Sequence, residues 1–241
     1  MTTFDPTALL IAAGRQHNWT SDIKYGSNPA VAQNWEEIWS VGGSALINNT
    51  ATIVEITSAT ASDAGGESGA RTVDIFGVDA DFVLQEETVT LTGTDAASTV
   101  GEYLYLTRVK VLTAGSALGN IGAISADIGG STLGHIPAGS GQSVMLHKAI
   151  PAGAIGYLTG IGEAVTKGAH LDIRICEYDQ VGQVWRVKLD FHAYQTTAPI
   201  RFIPPYRFPA KHLVVVAGKT TNASGYAVDA WTDYIISQGD A

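Results

Sequence analysis

The chain has 241 residues, enough for one large or two small domains. Hydrophobic residues make up 45% and charged residues only 15%, against about 25% charged in an ordinary soluble domain. That balance excludes a disordered chain and leaves apolar surface for neighbours to cover. Fourteen Lys and Arg against 23 Asp and Glu give a net charge of −9, which argues against a nucleic-acid backbone or an anionic membrane as partner.

The N-terminal segment predicts one short helix, with Asp5 or Thr7 as cap, Pro6 in the first turn and Gly14 as its stop. The stretch Ala8–Ala13 is apolar but has no basic segment before it, so a secretory signal is not expected. No apolar run approaches the roughly 18 residues of a membrane span, and the expectation is a chain made in a cytoplasm. Ile23–Trp39 contains the turn Asn28-Pro29 and the pair Trp35 and Trp39, whose spacing of four suits a shared face in either a helix or a strand.

From Thr50 onward the pattern is β. Thr52–Thr57, Arg71–Phe76, Glu87–Thr92 and Tyr103–Leu112 carry β-branched and aromatic residues between polar, glycine-rich breaks. Gly115–Gly141 reads as a loop-rich hinge with a short strand near Ile121–Ile128. Ile136-Pro137-Ala138-Gly139 recurs as Ile150-Pro151-Ala152-Gly153, two turns that bracket an expected strand at Gln142–Ala149, with another at Gly156–Ile161. Leu171–Cys176 and Trp185–Phe191 alternate most cleanly. Four prolines between Pro199 and Pro209 mark an extended arm, and Leu213–Ala217 and Tyr226–Ile236 complete the strands. The expected fold is mainly β, two sandwich-like or jelly-roll-like domains in series: an arm at 1–44, a first β domain at 45–118 and a second at 119–241.

Motifs for chemistry are few. Val214–Thr221 looks like the end of a phosphate-binding loop, but Leu213 stands where the first glycine is required, so a hairpin turn is the better reading. Gly66-Glu67-Ser68-Gly69-Ala70 misses the last glycine of a nucleophile elbow. The six histidines are scattered, and Cys176, the single cysteine, reads as a small hydrophobe on a strand. Asp74, Asp79, Asp81, Glu86 and Glu87 cluster in sequence without the spacing of a calcium loop. Trp19, Tyr25, Trp35 and Trp39 form an aromatic set that reads as interface anchors in preference to a sugar platform. No cofactor, metal or catalytic activity is expected.

One ordered series is more distinctive. Gly69-Ala70-Arg71-Thr72-Val73-Asp74-Ile75-Phe76-Gly77-Val78-Asp79 is followed by Glu87-Thr88-Val89-Thr90-Leu91-Thr92-Gly93-Thr94, then by Ile136–Met145, Ile150–Gly153 and Tyr157–Thr159. With Arg201–Lys211 and Tyr234–Ile236, the series resembles virion structural proteins of tailed bacteriophages of the marine-phage type, over about residues 45–236. Val78 stands where that family has Leu, and Thr92 where it has Asn. The resemblance implies a particle component and transfers no catalytic residues. It leads to the expectation of a capsid decoration or cement protein in the virion, assembled in a host cytoplasm. Its expected partners are copies of itself, as a trimer about a three-fold axis, and the major capsid protein. The alternatives are a tail or head fibre or adaptor component that binds a host glycan, and a glycan hydrolase using Asp172 and Asp190.

Overall fold

The computed structural model describes residues 6–44, 47–165, 170–194, 199–220 and 225–239. The helix α1 (Pro6–Ala12) comes first; Asp5, one of its two expected caps, lies outside the described residues. The strands that follow are β1 (Trp19–Val31), β2 (Glu36–Glu37), β3 (Thr52–Ser58), β4 (Ala70–Val78), β5 (Leu84–Thr90), β6 (Ala97–Tyr103), β7 (Tyr105–Ala114), β8 (Ile124–Ile128) and β9 (Ser131–Ile136). They continue with β10 (Lys148–Ala149), β11 (Ala154–Val165), β12 (His170–Asp179), β13 (Val184–Tyr194), β14 (Ile200–Phe208), β15 (His212–Thr220) and β16 (Tyr226–Gln238). The protein is mainly β, built of antiparallel sheets stacked as sandwiches. No described helix is long and apolar enough to cross a membrane.

The connectivity is nested, not serial. A sheet ordered β1-β16-β11-β14 faces one ordered β10-β15-β12-β13, to which β2 adds beside β15. Between them lies one core that includes Ile38, Leu158, Ile173, Phe208, Val214 and Tyr234. This outer sandwich therefore takes strands from both ends of the chain. The strands from Thr52 to Ile136 form two other sheets, β6-β3-β8-β9 and β5-β4-β7, around a core that includes Val54, Ile56, Val73, Ile75, Tyr103 and Leu106. Here β8 and β9 pair onto β3, so the stretch read as a hinge belongs with the strands before it.

Four expectations are corrected. Trp19–Val31 is a strand of the outer sandwich and not part of an arm, because its backbone pairs with β16 along nearly its whole length. Ser131–Ile136 is a strand, where the sequence read loop. Gln142–Ala149 keeps only two residues of continuous strand, Lys148–Ala149, preceded by isolated bridges from Gln142 to Lys110 of β7 and from Met145 to Trp39. The proline-marked arm is edge strand β14, where the missing N–H groups of Pro204 and Pro205 fit an edge.

The two sandwiches meet through a third apolar cluster. Val78, Phe82, Leu104 and Tyr105 from the inner sandwich pack on Ala149, Tyr178, Leu213 and Val215 of the outer one. The Phe82 and Tyr105 rings meet edge to face at 5.9 Å. Within the outer sandwich Gly26 of β1 lies so close to the Ile38 carbonyl and the Leu146 side chain that a Cβ would collide with both.

One side chain organises the loops of the inner sandwich. Asp63 is fully buried, and its carboxylate accepts hydrogen bonds from Ser58 Oγ at 2.7 Å and from the backbone N–H groups of Ala70, Ile121 and Gly122 at 2.8 Å each. Burial alone would raise its pKa, but those four donors outweigh it and hold the carboxyl below its ordinary value. Its stabilising effect is complete above the unfolded carboxylate pKa of about 4 and disappears as pH falls through the lower folded value. Asp63→Asn should cost about 3 kcal/mol in urea unfolding at pH 7. The gap from wild type should narrow on acidification below about pH 4; an unchanged gap at acid pH would contradict this account.

Candidate assembly surface

The alternation along β1 is inverted. Asp22, Lys24, Gly26 and Asn28 point inward, and Lys24 and Asn28 are buried at 3% and 2% exposure. Ile23 and Tyr25 point outward at 66% and 43%. A strand with one face in a core normally does the reverse. The inward polar residues have partners in the inner sandwich, since Arg108 reaches Asp22 at 3.2 Å and Lys24 reaches the Thr107 carbonyl. The outward apolar residues face solvent.

The same outer face continues across the sheet. Trp19 stacks on Tyr157 of β11, with centroids 5.9 Å apart and planes inclined by 22°. Trp231 of β16 pairs directly with Tyr25 and lies over Gly162, which leaves room for the indole. Tyr25 donates from its hydroxyl to Asp229 Oδ1 at 2.8 Å, and burial followed by that carboxylate raises its pKa. Arg201 and Asp233 close the far side as an ion pair. The result is a sheet face of aromatic and aliphatic side chains with hydrogen-bonding tips. Such residues supply large contact area at low entropic cost.

The four aromatic residues singled out from sequence do not gather. Trp19 and Tyr25 share this outer face. Trp35 lies on the opposite sheet, with the Arg174 guanidinium 4.0 Å and the Lys219 ammonium 4.8 Å from its ring centroid. It lines a cleft of about 200 Å3 that also includes Trp185 and Cys176. Trp39 is buried, donates from Nε1 to the Gly42 carbonyl at 2.7 Å and rests against His147. The spacing of four thus joins one half-exposed and one buried indole. Sequence reading missed Ile23, Tyr157 and Trp231; for Trp231 the signal was there, in the alternation of Asp229, Trp231, Asp233 and Ile235 with Val228, Ala230, Thr232 and Tyr234.

The other candidate groups serve separate contacts. Asp172 faces His192 and Lys219, and Asp190 pairs with Arg174 at 2.6 Å, so each carboxylate already balances a cation across the sheet. Asp74 is buried between Thr88 and Lys110. Asp79 accepts the N–H groups of Asp81 and Val83 in a turn, and Glu87 those of Val100 and Gly101. Among the described residues no group of three or more His, Cys, Asp and Glu could hold a metal ion. Burial pushes the Cys176 thiol up to about 11, so it is protonated at neutral pH.

Comparison with family models finds no match, and comparison with curated proteins finds none. A solved structure of the infectious bursal disease virus Gx strain aligns with 92% of this chain and 72% of its own at 6% identity and a TM-score of 0.26, too low to carry an argument.

Because Ile23 is exposed and touches no core, Ile23→Lys should leave the unfolding free energy within about 0.5 kcal/mol of wild type. Where copies associate through this face, the role proposed below, sedimentation velocity of the variant should find that association weakened by about tenfold, or 1.4 kcal/mol. Unchanged association would remove this face from the contact.

Proposed function

We propose that the chain is a non-enzymatic structural protein of a virus particle, seated as a decoration protein on the head shell. The observation that carries the reading is the inverted β1, which places Ile23 and Tyr25 outside while Lys24 and Asn28 are buried. An apolar sheet face on a chain with 15% charged residues is surface suited to cover by a neighbour. The ordered segments from Gly69 to Ile236 that resemble tailed-phage virion proteins support the same class. In this role Trp19, Ile23, Tyr25 and Trp231 grip either the major capsid protein or the next copy in a cyclic homo-oligomer, with a trimer fitting a three-fold position. The function is mechanical. Burial of apolar area at each contact adds to the stability of the shell.

A second reading rests on the cleft of about 200 Å3 between Trp35 and Trp185. Two indoles on one sheet could hold a sugar ring, as a fibre or adaptor component that binds a host glycan would.

Immunogold labelling of intact virions, from a phage whose genome encodes this chain, separates the two. Gold distributed over the head, with a copy number near that of the capsid subunits by quantitative mass spectrometry, is the expected result. Gold confined to the tail or to one vertex would overturn the decoration reading and favour the glycan cleft.

A further inference from the structure

The inward residues of β1 border a cavity of about 390 Å3 at the junction of the two sandwiches. Its walls are Asp22 and Lys24 from β1, Arg108 from β7, Lys148 beside Ala149 in β10, and Glu86 from β5 at an exposed position. Lys148 Nζ lies 2.7 Å from Asp22 Oδ2, and Arg108 Nη2 lies 3.2 Å from Oδ1. Both oxygens of the one inward carboxylate are thereby occupied by these two cations. Lys24 remains. Its ammonium is buried, and among the described residues its hydrogen bond goes to the Thr107 carbonyl.

An ammonium carries three donors, and a buried charge is costly unless it is paired. Three cations, Lys24, Arg108 and Lys148, line the cavity against two carboxylates, Asp22 and the exposed Glu86, so its walls carry an excess of positive charge in a protein of net charge −9. Arg108 adds capacity, because its bonds to Asp22 and to the Ile23 carbonyl both leave from Nη2. We propose that the junction cavity is a binding site for a small oxyanion, a carboxylate or sulfate-like group. Lys24 provides the central charge and Arg108 a planar set of donors. The site is distinct from the outer face assigned to assembly and does not depend on that assignment.

The pH dependence follows from the same geometry. Burial first, then the charges of Lys148 and Arg108, push Lys24 down to about 7, with Asp22 acting in the opposite direction. Asp22 itself is held below its ordinary value, since Lys148, Lys24 and Arg108 together outweigh its burial. The remaining groups that face Lys24 and Asp22 are Glu86 and, from β16, Tyr234, whose pKa burial raises so that it stays neutral. A bound anion raises the pKa of Lys24, so binding takes up a proton above neutral pH. Affinity is then full below pH 7 and falls as pH rises.

The test is isothermal titration calorimetry of the full chain with sodium sulfate, whose charge is constant over the range, in a chloride background. The expected result is a saturable single site at pH 6 that weakens about tenfold by pH 8.5. Lys24→Met should abolish it. Arg108→Gln should weaken it about fivefold or more; the Arg108 side chain is 37% exposed, so this variant folds even if the lysine variant does not. Absence of saturable binding at pH 6, binding that ignores pH, or binding untouched in Arg108→Gln would each overturn the proposal.

Discussion

The antiparallel pairing of β1 with β16 is the constraint on which the remaining structure depends. It runs from Trp19 against Ser237 to Val31 against Tyr226, and so ties one end of the chain to the other. Closing a loop of that length is entropically unfavourable, but the cost grows only slowly with length, and it is offset by the core the closure completes. Once the ends are paired, β11 can add to the other side of β16, and the facing sheet can bury Ile173, Val214 and Val216 against them. The inner sandwich has no choice but to lie as an insertion. Its Val78–Phe82 turn and the Leu104-Tyr105 pair then cover the otherwise exposed Leu213 and Val215.

The insertion explains why the inner face of β1 is polar. Over most of the outer sandwich the inward positions face an apolar core, but at Asp22 and Lys24 they face Thr107 and Arg108 of the inserted sandwich. Ion pairs at a junction contribute little net energy compared with a well-packed apolar contact. Their geometry, however, is specific: Asp22 meets Lys148 and Arg108 from two different elements. A slip of one residue in β1 would turn the charged residues to solvent and Ile23 and Tyr25 onto the junction. The buried pairing therefore fixes the register that displays the aromatic outer face. The His147–Glu37 contact beside Trp39 makes a similar tie between the β10 region and β2.

This arrangement also accounts for what the sequence could and could not disclose. Strands such as β12, where Leu171, Ile173 and Ile175 alternate with Asp172 and Arg174, face one core and one solvent, so their period is legible. β5 keeps Val89 inside, whereas β15 is buried on both faces, with Val214 and Val216 in one core and Leu213 and Val215 in another, and reads as a continuous apolar run. β1 carries an equally regular alternation, but its polar residues point inward, and no local rule announces that a strand's wet-looking face meets another sandwich. β9 is hidden because Gly134 sits where the Val109 and Leu106 side chains approach, which leaves a weakly apolar segment. The cluster of Lys24, Arg108 and Lys148 unites residues far apart in sequence, and its members become neighbours only through the nested topology. Trp35 and Trp39 diverge because the short β2 and the turn at Gly42 and Gly43 fall around them, so the chain follows neither helical nor strand spacing there.

Exposed apolar groups lie both on strand edges and on one sheet face, and the two differ in how they are protected. Among the edge strands of the outer sandwich, β13 and β14 leave backbone donors and acceptors without a neighbouring strand, and β13 exposes Val184, Trp185 and Val187. Edges of this kind invite uncontrolled pairing unless something blunts them. Both are blunted. Arg186 and Lys188 interrupt the apolar residues of β13, and its register shifts beside Ile175 and Cys176. Pro204 and Pro205 remove donors from β14, and a second shift lies between Leu158 and Gly160 of its partner. On the outer face over β1, β16 and β11 the charged residues are already partnered, Asp229 by the Tyr25 hydroxyl and Asp233 by Arg201, and Trp19, Ile23, Tyr25 and Trp231 lie among them. Blunting at β13 and β14 disfavours open-ended strand addition there, whereas a contact at the face would be side chain on side chain, the form that the proposed assembly requires.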